Sequence, residues 1–174
     1  DMDGLSMIFE RKSVRHFHPG QPVSKEDLTT LVKAGMAAPS AVNKQPWAFV
    51  VVTQRETLDA LGERLPYAKM LKQASAAIVV CGDLHNALPD DWQEFWIQDC
   101  SAAAQNVLLA AEALHLGAIW TAVYPDHDRI DTVRHALALP EHIIPLNVIP
   151  LGHPTGNDRP KDKWNPDKVH WETW

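Results

Sequence analysis

The sequence predicts a layered domain of the α/β or α+β class, and three observations lead there. Strand-like runs rich in β-branched residues alternate with helical runs whose apolar residues recur at three- and four-residue spacing. The connections between them are short, and several are marked by proline. One long helical run is small and apolar on most faces, as a helix through a core must be. At 174 residues the chain has the size of a single domain, expected to span residues 1–174, and is long enough for a substantial core. Strands separated by helices with short loops give the layered arrangement.

The elements follow in order. Residues 5–10 form a short amphipathic helix that delivers a basic turn at residues 11–15. Residues 17–23 carry two prolines and a glycine and form a loop. Ser24 opens a helix, with Asp27 three residues on in a capping-box arrangement. Leu28, Leu31, Val32 and Met36 give that helix one apolar face. Ala38-Pro39 ends it, because proline disfavours helix in the preceding residue. Residues 47–53 are a strand, and residues 54–71 are helical with a break at Pro66. Residues 76–82 are a second strand, in which Ile78-Val79-Val80 suits full burial. Residues 85–91 are a loop.

Residues 92–116 give the longest helical pattern, buried nearly all round in a core or against a second subunit, with Gly117 as its stop. Residues 118–123 are a third strand. Asp128 is the expected cap of a helix over residues 129–139, with Ile130, Val133 and Leu137 inward. Residues 146–151 are a fourth strand. The tail, residues 152–174, is rich in Pro, Lys, Asp and Trp and makes no core of its own.

Composition excludes several functions. A net charge of −6 argues against general nucleic-acid binding, which needs a basic face. The most apolar run, residues 102–123, is interrupted by Gln105, Asn106, Glu112 and His115, too polar for a membrane span. Cys81 and Cys100 lack CxxC spacing, so a reduced pair is expected, neither metal ligand nor redox couple. Asp1-Met2-Asp3-Gly4 has neither a basic end nor a long apolar run, so no signal peptide is expected and the location is cytoplasmic. No Walker phosphate loop, dinucleotide fingerprint or G-x-S-x-G elbow occurs. His16 with His18 is a surface pair rather than a zinc site, Asp126-His127-Asp128 is a helix start, and no metal site is expected. Seven tryptophans suit core or interface anchors better than a stacking platform.

Two stretches carry chemistry. Arg11-Lys12-Ser13-Val14-Arg15 puts three cations and a hydroxyl within five residues. Guanidinium groups grip phosphate oxygens in bidentate fashion and a serine adds a short donor, although a solvated basic turn has the same composition. The second stretch runs from Pro39 through Ser40, Asn43 and Gln45 to Trp47. Its amides can both donate to and accept from a planar heterocycle, although a plain structural loop is the alternative.

These positions resemble the FMN-dependent nitroreductase family over almost the whole chain. The basic turn resembles the family's opening R-[RK]-S-x-R, and residues 39–47 resemble its P-S-x-x-N-x-Q-P-W. Residues 99–117 are similar to its small-residue central helix, followed by Ala118-Ile119-Trp120. Leu151-Gly152-His153-Pro154 and Lys161-Asp162-Lys163-Trp164 resemble its closing L-G-x-P and K-x-[KR]-W. Each motif alone is weak; four in the right order are specific.

The resemblance implies an α+β fold with a mixed, mainly antiparallel sheet of about five strands, and an intertwined homodimer. In it each C-terminal tail, residues 152–174, wraps the partner and adds a strand to its sheet. It implies bound FMN, with Arg11, Lys12, Ser13 and Arg15 meeting its phosphate, ribityl chain and pyrimidine edge. Pro39, Ser40 and Asn43 of the other subunit would border the isoalloxazine. Trp120 and Thr121 would lie along the ring, Gly152 belongs to the closing motif, and Lys161 and Lys163 would complete the phosphate site. Lysine at 163, where the family often has arginine, keeps the charge but loses the fork. The implied activity takes hydride from NAD(P)H at flavin N5 and passes it to an electron-poor acceptor such as a nitroaromatic or quinone. No catalytic side chain is implied. A specialised flavin reductase or dehalogenase-type enzyme, or an FMN-binding sensor or storage protein, is the alternative.

Overall fold

The computed structural model describes residues 3–174, so Asp1 and Met2 of the opening stretch lie outside the described residues. Five helices and five strands occur in the order α1 (Gly4–Glu10), α2 (Lys25–Met36), β1 (Trp47–Val52), α3 (Arg55–Arg64), β2 (Ala76–Asp83), α4 (Phe95–Ala113), β3 (Gly117–Ala118), β4 (Thr121–Ala122), α5 (His127–Leu137) and β5 (Ile143–Gly152). The sheet runs β1-β2-β5-β3, with β4 also on β5, and each of these pairings is antiparallel. The fold is thus α+β, as expected.

Helices cover both faces of the sheet. Ile78 and Val80 of β2, with Ile149 and Leu151 of β5, pack with Leu28, Leu31, Cys100, Ala104 and Val107 of α2 and α4. The alternate residues Val79, Cys81 and Val148 pack with Leu58 and Leu61 of α3 and Val133 of α5. An antiparallel strand with one wet face would alternate in polarity; β2 is apolar throughout because neither face is wet.

Local signals account for most boundaries. Ser24 caps α2 by accepting from the Asp27 amide. Within α2, Leu28 and Leu31 are buried, but Met36 is 51% exposed because the core ends at Gly35. Gly35 leaves room there for Phe49 and Val107. α3 ends at Arg64, and the residues beyond Pro66 form a separate 3₁₀ turn, Lys69–Lys72. α5 is capped by Asp126, which accepts from the Arg129 amide, and not by Asp128, which falls in the first turn. α4 stops before Gly117: His115 takes the left-handed conformation at φ 59° and Gly117 is already in β3.

The expected third strand is split, and β5 explains why. β3 and β4 keep one register on β5, with Ala118 opposite Leu151 and Thr121 opposite Val148. In that register Ile119 falls opposite Pro150, which has no amide hydrogen to donate, so the ladder lapses across Ile119 and Trp120. Pro145 likewise stands beside the irregularity between Val80 and Cys81 on β2. Among residues 153–174 the only regular element is the 3₁₀ turn Pro166–Lys168. The expected tail strand is therefore not one the chain forms by itself.

The basic turn is docked on the β3–β5 edge. Gly117 and Gly152 face each other across that ladder. A β-carbon on Gly117 would stand 2.7 Å from Val14 Cγ1, and one on Gly152 would stand 2.8 Å from Phe17 Cδ1. Val14 and Phe17 are buried there. The Val14 amide donates to the Ala118 carbonyl at 3.0 Å, and the His18 amide to the His153 carbonyl at 2.8 Å. Burying two such side chains contributes about 1.5–3 kcal/mol each. Replacing Gly117 or Gly152 by alanine should therefore overpack this contact and lower stability by about 1–3 kcal/mol in denaturant unfolding. Gly4→Ala, which meets nothing within 4 Å, should cost nothing. Equal stability of all three variants would count against the docking.

Candidate functional site

Two adjoining clefts carry the candidate site. The larger, about 1050 Å³, is lined by Arg11, Lys12, Ser13 and Arg15 from the basic turn and by Arg159, Lys161 and Lys163 from the tail. The two ends of the chain thus meet, as the sequence predicted. The tail is laid there by the Phe17–Pro154 bridge and by the Thr155 amide donating to the His16 carbonyl at 3.1 Å. Asp158 completes the fixation, accepting from the amides of Arg15 and His16 at 3.1 and 3.3 Å and facing the His16 ring. Burial pushes the Asp158 carboxyl up, but the Arg15 amide and the His16 ring and charge outweigh it and hold it below its ordinary value. Its contribution is therefore complete above about pH 4 and is lost as pH falls through the lowered value.

The cations differ in availability. Lys12 Nζ lies 2.8 Å from Glu112 Oε1, so part of its charge is already answered by α4. That pairing gives Glu112 a role the sequence did not suggest. Arg159 is turned onto the carbonyls of Gly156 and Asp158. Arg11, Arg15, Lys161 and Lys163 have no side-chain hydrogen bond or ion pair among the described residues, and Ser13 lies beside them on the cleft wall. Four unpaired cations converge in a protein of net charge −6, with Asp162, which accepts from the Trp164 amide, between two of them. Such an arrangement is suited to an anion with several oxygens.

Arg15 also lines the second cleft, about 760 Å³, with Tyr67, Lys69, Met70, Ile119, Trp120, Thr121 and Arg129. No carboxylate lines it. Trp120 reaches it because the strand lapses at that residue, whereas the Thr121 hydroxyl is committed to the Val148 carbonyl at 2.6 Å. The Arg129 guanidinium lies over the Tyr67 ring, 5.8 Å from its centre. Tyr67, Lys69 and Arg129 were missed in the sequence. They come from the α3–β2 connection and from α5, and no local pattern links them.

Gly152 lines neither cleft; it is the floor on which Phe17 rests. Pro39, Ser40 and Asn43 also line neither. The Ser40 hydroxyl accepts from the Gln45 amide at 3.0 Å, the Asn43 side-chain Oδ1 accepts from the Gln45 side chain at 3.0 Å, and the Ala41 amide donates to Asp99 on α4. Val42, Asn43 and Gln45 all have φ of 53°. For valine, whose branched side chain crowds that conformation, this is a strained loop. Cys81 and Cys100 are buried, and burial raises both thiols, Cys81 to about 12, so neither is a nucleophile at neutral pH.

The chain is similar in sequence and fold to known proteins. The nitroreductase family model matches residues 8–68 and 63–153. A Methanothermobacter thermautotrophicus protein provisionally named an NADH dehydrogenase/NAD(P)H nitroreductase is 45% identical, over 99% of this chain and 88% of its own length. A Parabacteroides distasonis crystal structure carrying the same provisional name superposes with a TM-score of 0.92 at 51% identity, covering 98% of each chain. A Desulfovibrio desulfuricans nitroreductase, also provisionally named and solved with FMN, superposes with a TM-score of 0.81 at 27% identity, covering 100% of this chain and 99% of its own. With motifs, topology and near-complete coverage in agreement, the chain belongs to the nitroreductase family.

Proposed function

We propose that this protein is an FMN-dependent oxidoreductase that uses NAD(P)H to reduce electron-poor organic acceptors such as nitroaromatics or quinones. One observation carries the reading: a cleft of unpaired cations from both chain ends adjoins, through Arg15, an aromatic and cationic cleft with no carboxylate. The donor set fits FMN. A phosphate monoester carries nearly two negative charges and needs cations from more than one segment; a flavin ring needs an aromatic, water-poor slot.

Arg11, Ser13, Lys161 and Lys163, with Lys12, would hold the phosphate, and Arg15 would span phosphate and pyrimidine edge. Trp120 and the backbone at Thr121 would flank the ring. Lys69 would place a cation beside it, which favours the anionic reduced form. Bound FMN supplies two-electron redox chemistry between NAD(P)H and the acceptor; the protein's part is to bind, orient and tune. Arg129 and Tyr67 at the second cleft would favour flat, electron-poor acceptors.

The same proposal makes the molecule a homodimer of single-domain chains, working in the cytoplasm. Phe9, Trp92, Trp164, Trp171 and Trp174 are exposed, the last by 99%. No helix among the described residues is long and apolar enough to cross a membrane, so a partner subunit is the cover offered for these side chains. Residues 152–174 would wrap that partner, and its copy of Pro39, Ser40 and Asn43 would complete the flavin site.

The purified protein should be yellow and release FMN, not FAD, on denaturation, as mass spectrometry of the released ligand will report. Anaerobic addition of NADH or NADPH should bleach the flavin absorbance rapidly; colour persisting for hours identifies a binding protein instead. Arg11→Ala and Lys163→Ala should each weaken FMN binding roughly ten- to hundredfold, the worth of a charge-assisted hydrogen bond, with the apo fold intact. Unchanged affinity in both would refute the joining of the chain ends at the phosphate. Light scattering should give about twice the 19.4 kDa chain mass, and deleting residues 168–174 should cost both dimer and flavin. A truncated protein that stays dimeric and yellow would remove the exchanged tail from the proposal.

A further inference from the structure

At the end of the sheet opposite the basic turn, three side chains converge that the flavin reading does not use. Asp83 closes β2 and is paired with Ile143 at the start of β5. The ladder runs one step further, with the Leu84 amide donating to the His142 carbonyl at 2.9 Å. This sets His142 beside His85. The two imidazoles stack with centres 3.8 Å apart and planes 2° from parallel. The ligating atoms of Asp83, His85 and His142 all lie within 4.8 Å of one another. From Ile143 to Gly152, β5 separates this cluster from the flavin cleft by roughly 30 Å at the ordinary strand rise.

Three features make the cluster more than a packing contact. The Asp83 carboxylate is held on both oxygens, by the His85 amide at 3.0 Å and the Asn86 side chain at 2.8 Å. Each oxygen keeps a lone pair for another partner. The ring nitrogens of His85 and His142 have no hydrogen-bond partner among the described residues, so both rings keep a nitrogen lone pair for a ligand. The backbone carrying the three is fixed by the sheet ladder and by the turn at Asp83, so little chain entropy is left to lose on binding.

We propose that Asp83, His85 and His142 form a binding site for a divalent transition metal of borderline softness, with zinc as the expected ion. Two imidazoles and one carboxylate are a common donor set for such ions, and water fills the remaining position. Ligands about 2.1 Å from a tetrahedral centre stand roughly 3.4 Å apart, closer than the present spread. Parallel rings also aim their nitrogens side by side rather than at one point. His85 is exposed, so its side chain is the one with room to make this adjustment. Occupied, the site clips the β2–α4 connection to the start of β5. Cys81 and Cys100 are not competitors, being buried and protonated.

The test uses tag-free, flavin-loaded protein freed of metal by chelator and dialysis, then titrated calorimetrically with zinc chloride near neutral pH. One zinc per chain is expected. Removing an outer-shell partner of a metal site typically costs about 10–100-fold in affinity. Asp83→Asn, His85→Gln and His142→Gln each remove a direct ligand and should cost at least about a hundredfold. His135→Gln, at an exposed position on α5, should change nothing. Zinc should raise the melting temperature of the parent protein but not of His85→Gln/His142→Gln. In histidine ring NMR, the resonances of His85 and His142 should move first. Absence of saturable zinc binding, or binding retained in that double variant, overturns the proposal. Because every readout is independent of flavin turnover, its failure would leave the functional reading untouched, and the reverse holds as well.

Discussion

The packing of Val14 and Phe17 onto Gly117 and Gly152 is the contact on which the functional region depends. Two residues without side chains face each other across the β3–β5 ladder, and the basic turn lies in the groove they leave. With Val14 and Phe17 seated, the chain between them can only present Arg15 and His16 outward, and Arg11 and Ser13 follow at the mouth of the cleft. The same seating pairs Phe17 with Pro154 and brings the His16 carbonyl to the Thr155 amide. The tail is thereby started in the direction that delivers Lys161 and Lys163. A hydrophobic contact, non-directional in itself, is made specific by the absence of two β-carbons.

Electrostatics then act on a prearranged scaffold. The protein is acidic overall, yet carboxylates near the cleft are engaged in holding its frame: Glu112 on Lys12, Asp158 on the turn backbone and Asp162 on the Trp164 amide. Four cations, Arg11, Arg15, Lys161 and Lys163, are left on the cleft wall without a side-chain partner among the described residues. Any change that frees Asp158 or Glu112 would spoil the orientation of these cations before it altered their charge. The prolines of β5 act in a similar indirect way. Pro150 denies Ile119 a ladder partner, and the lapse lets Trp120 line the second cleft while Thr121 stays tied to Val148.

β5 also sets the distance between the basic cleft and the imidazole pair. Ten residues long and paired with β2, β3 and β4, it has the basic turn at one end and the imidazole pair at the other. Its burial on both faces makes it a rigid spacer, so an ion held at Asp83 would bear on the β2–α4 connection rather than on the basic cleft of its own chain.

The sequence by itself determined the elements and the family. Ser24 with Asp27, the β-branched run at 78–80 and Pro39 fixed boundaries because capping, burial and ring geometry act within a few residues. The motifs from Arg11 to Lys163 were legible for the same reason. Where two local signals competed, the nearer one was misjudged. Asp126 capped α5 in place of Asp128, and His115 rather than Gly117 ended α4, because Gly117 was needed to admit Val14. Only the tertiary structure decided that Glu112 answers Lys12, that Tyr67, Lys69 and Arg129 share a cleft with Arg15, and that His142 stacks on His85. These are contacts between residues far apart in the chain. They are set by sheet register and packing, which leave no periodicity in the sequence to read.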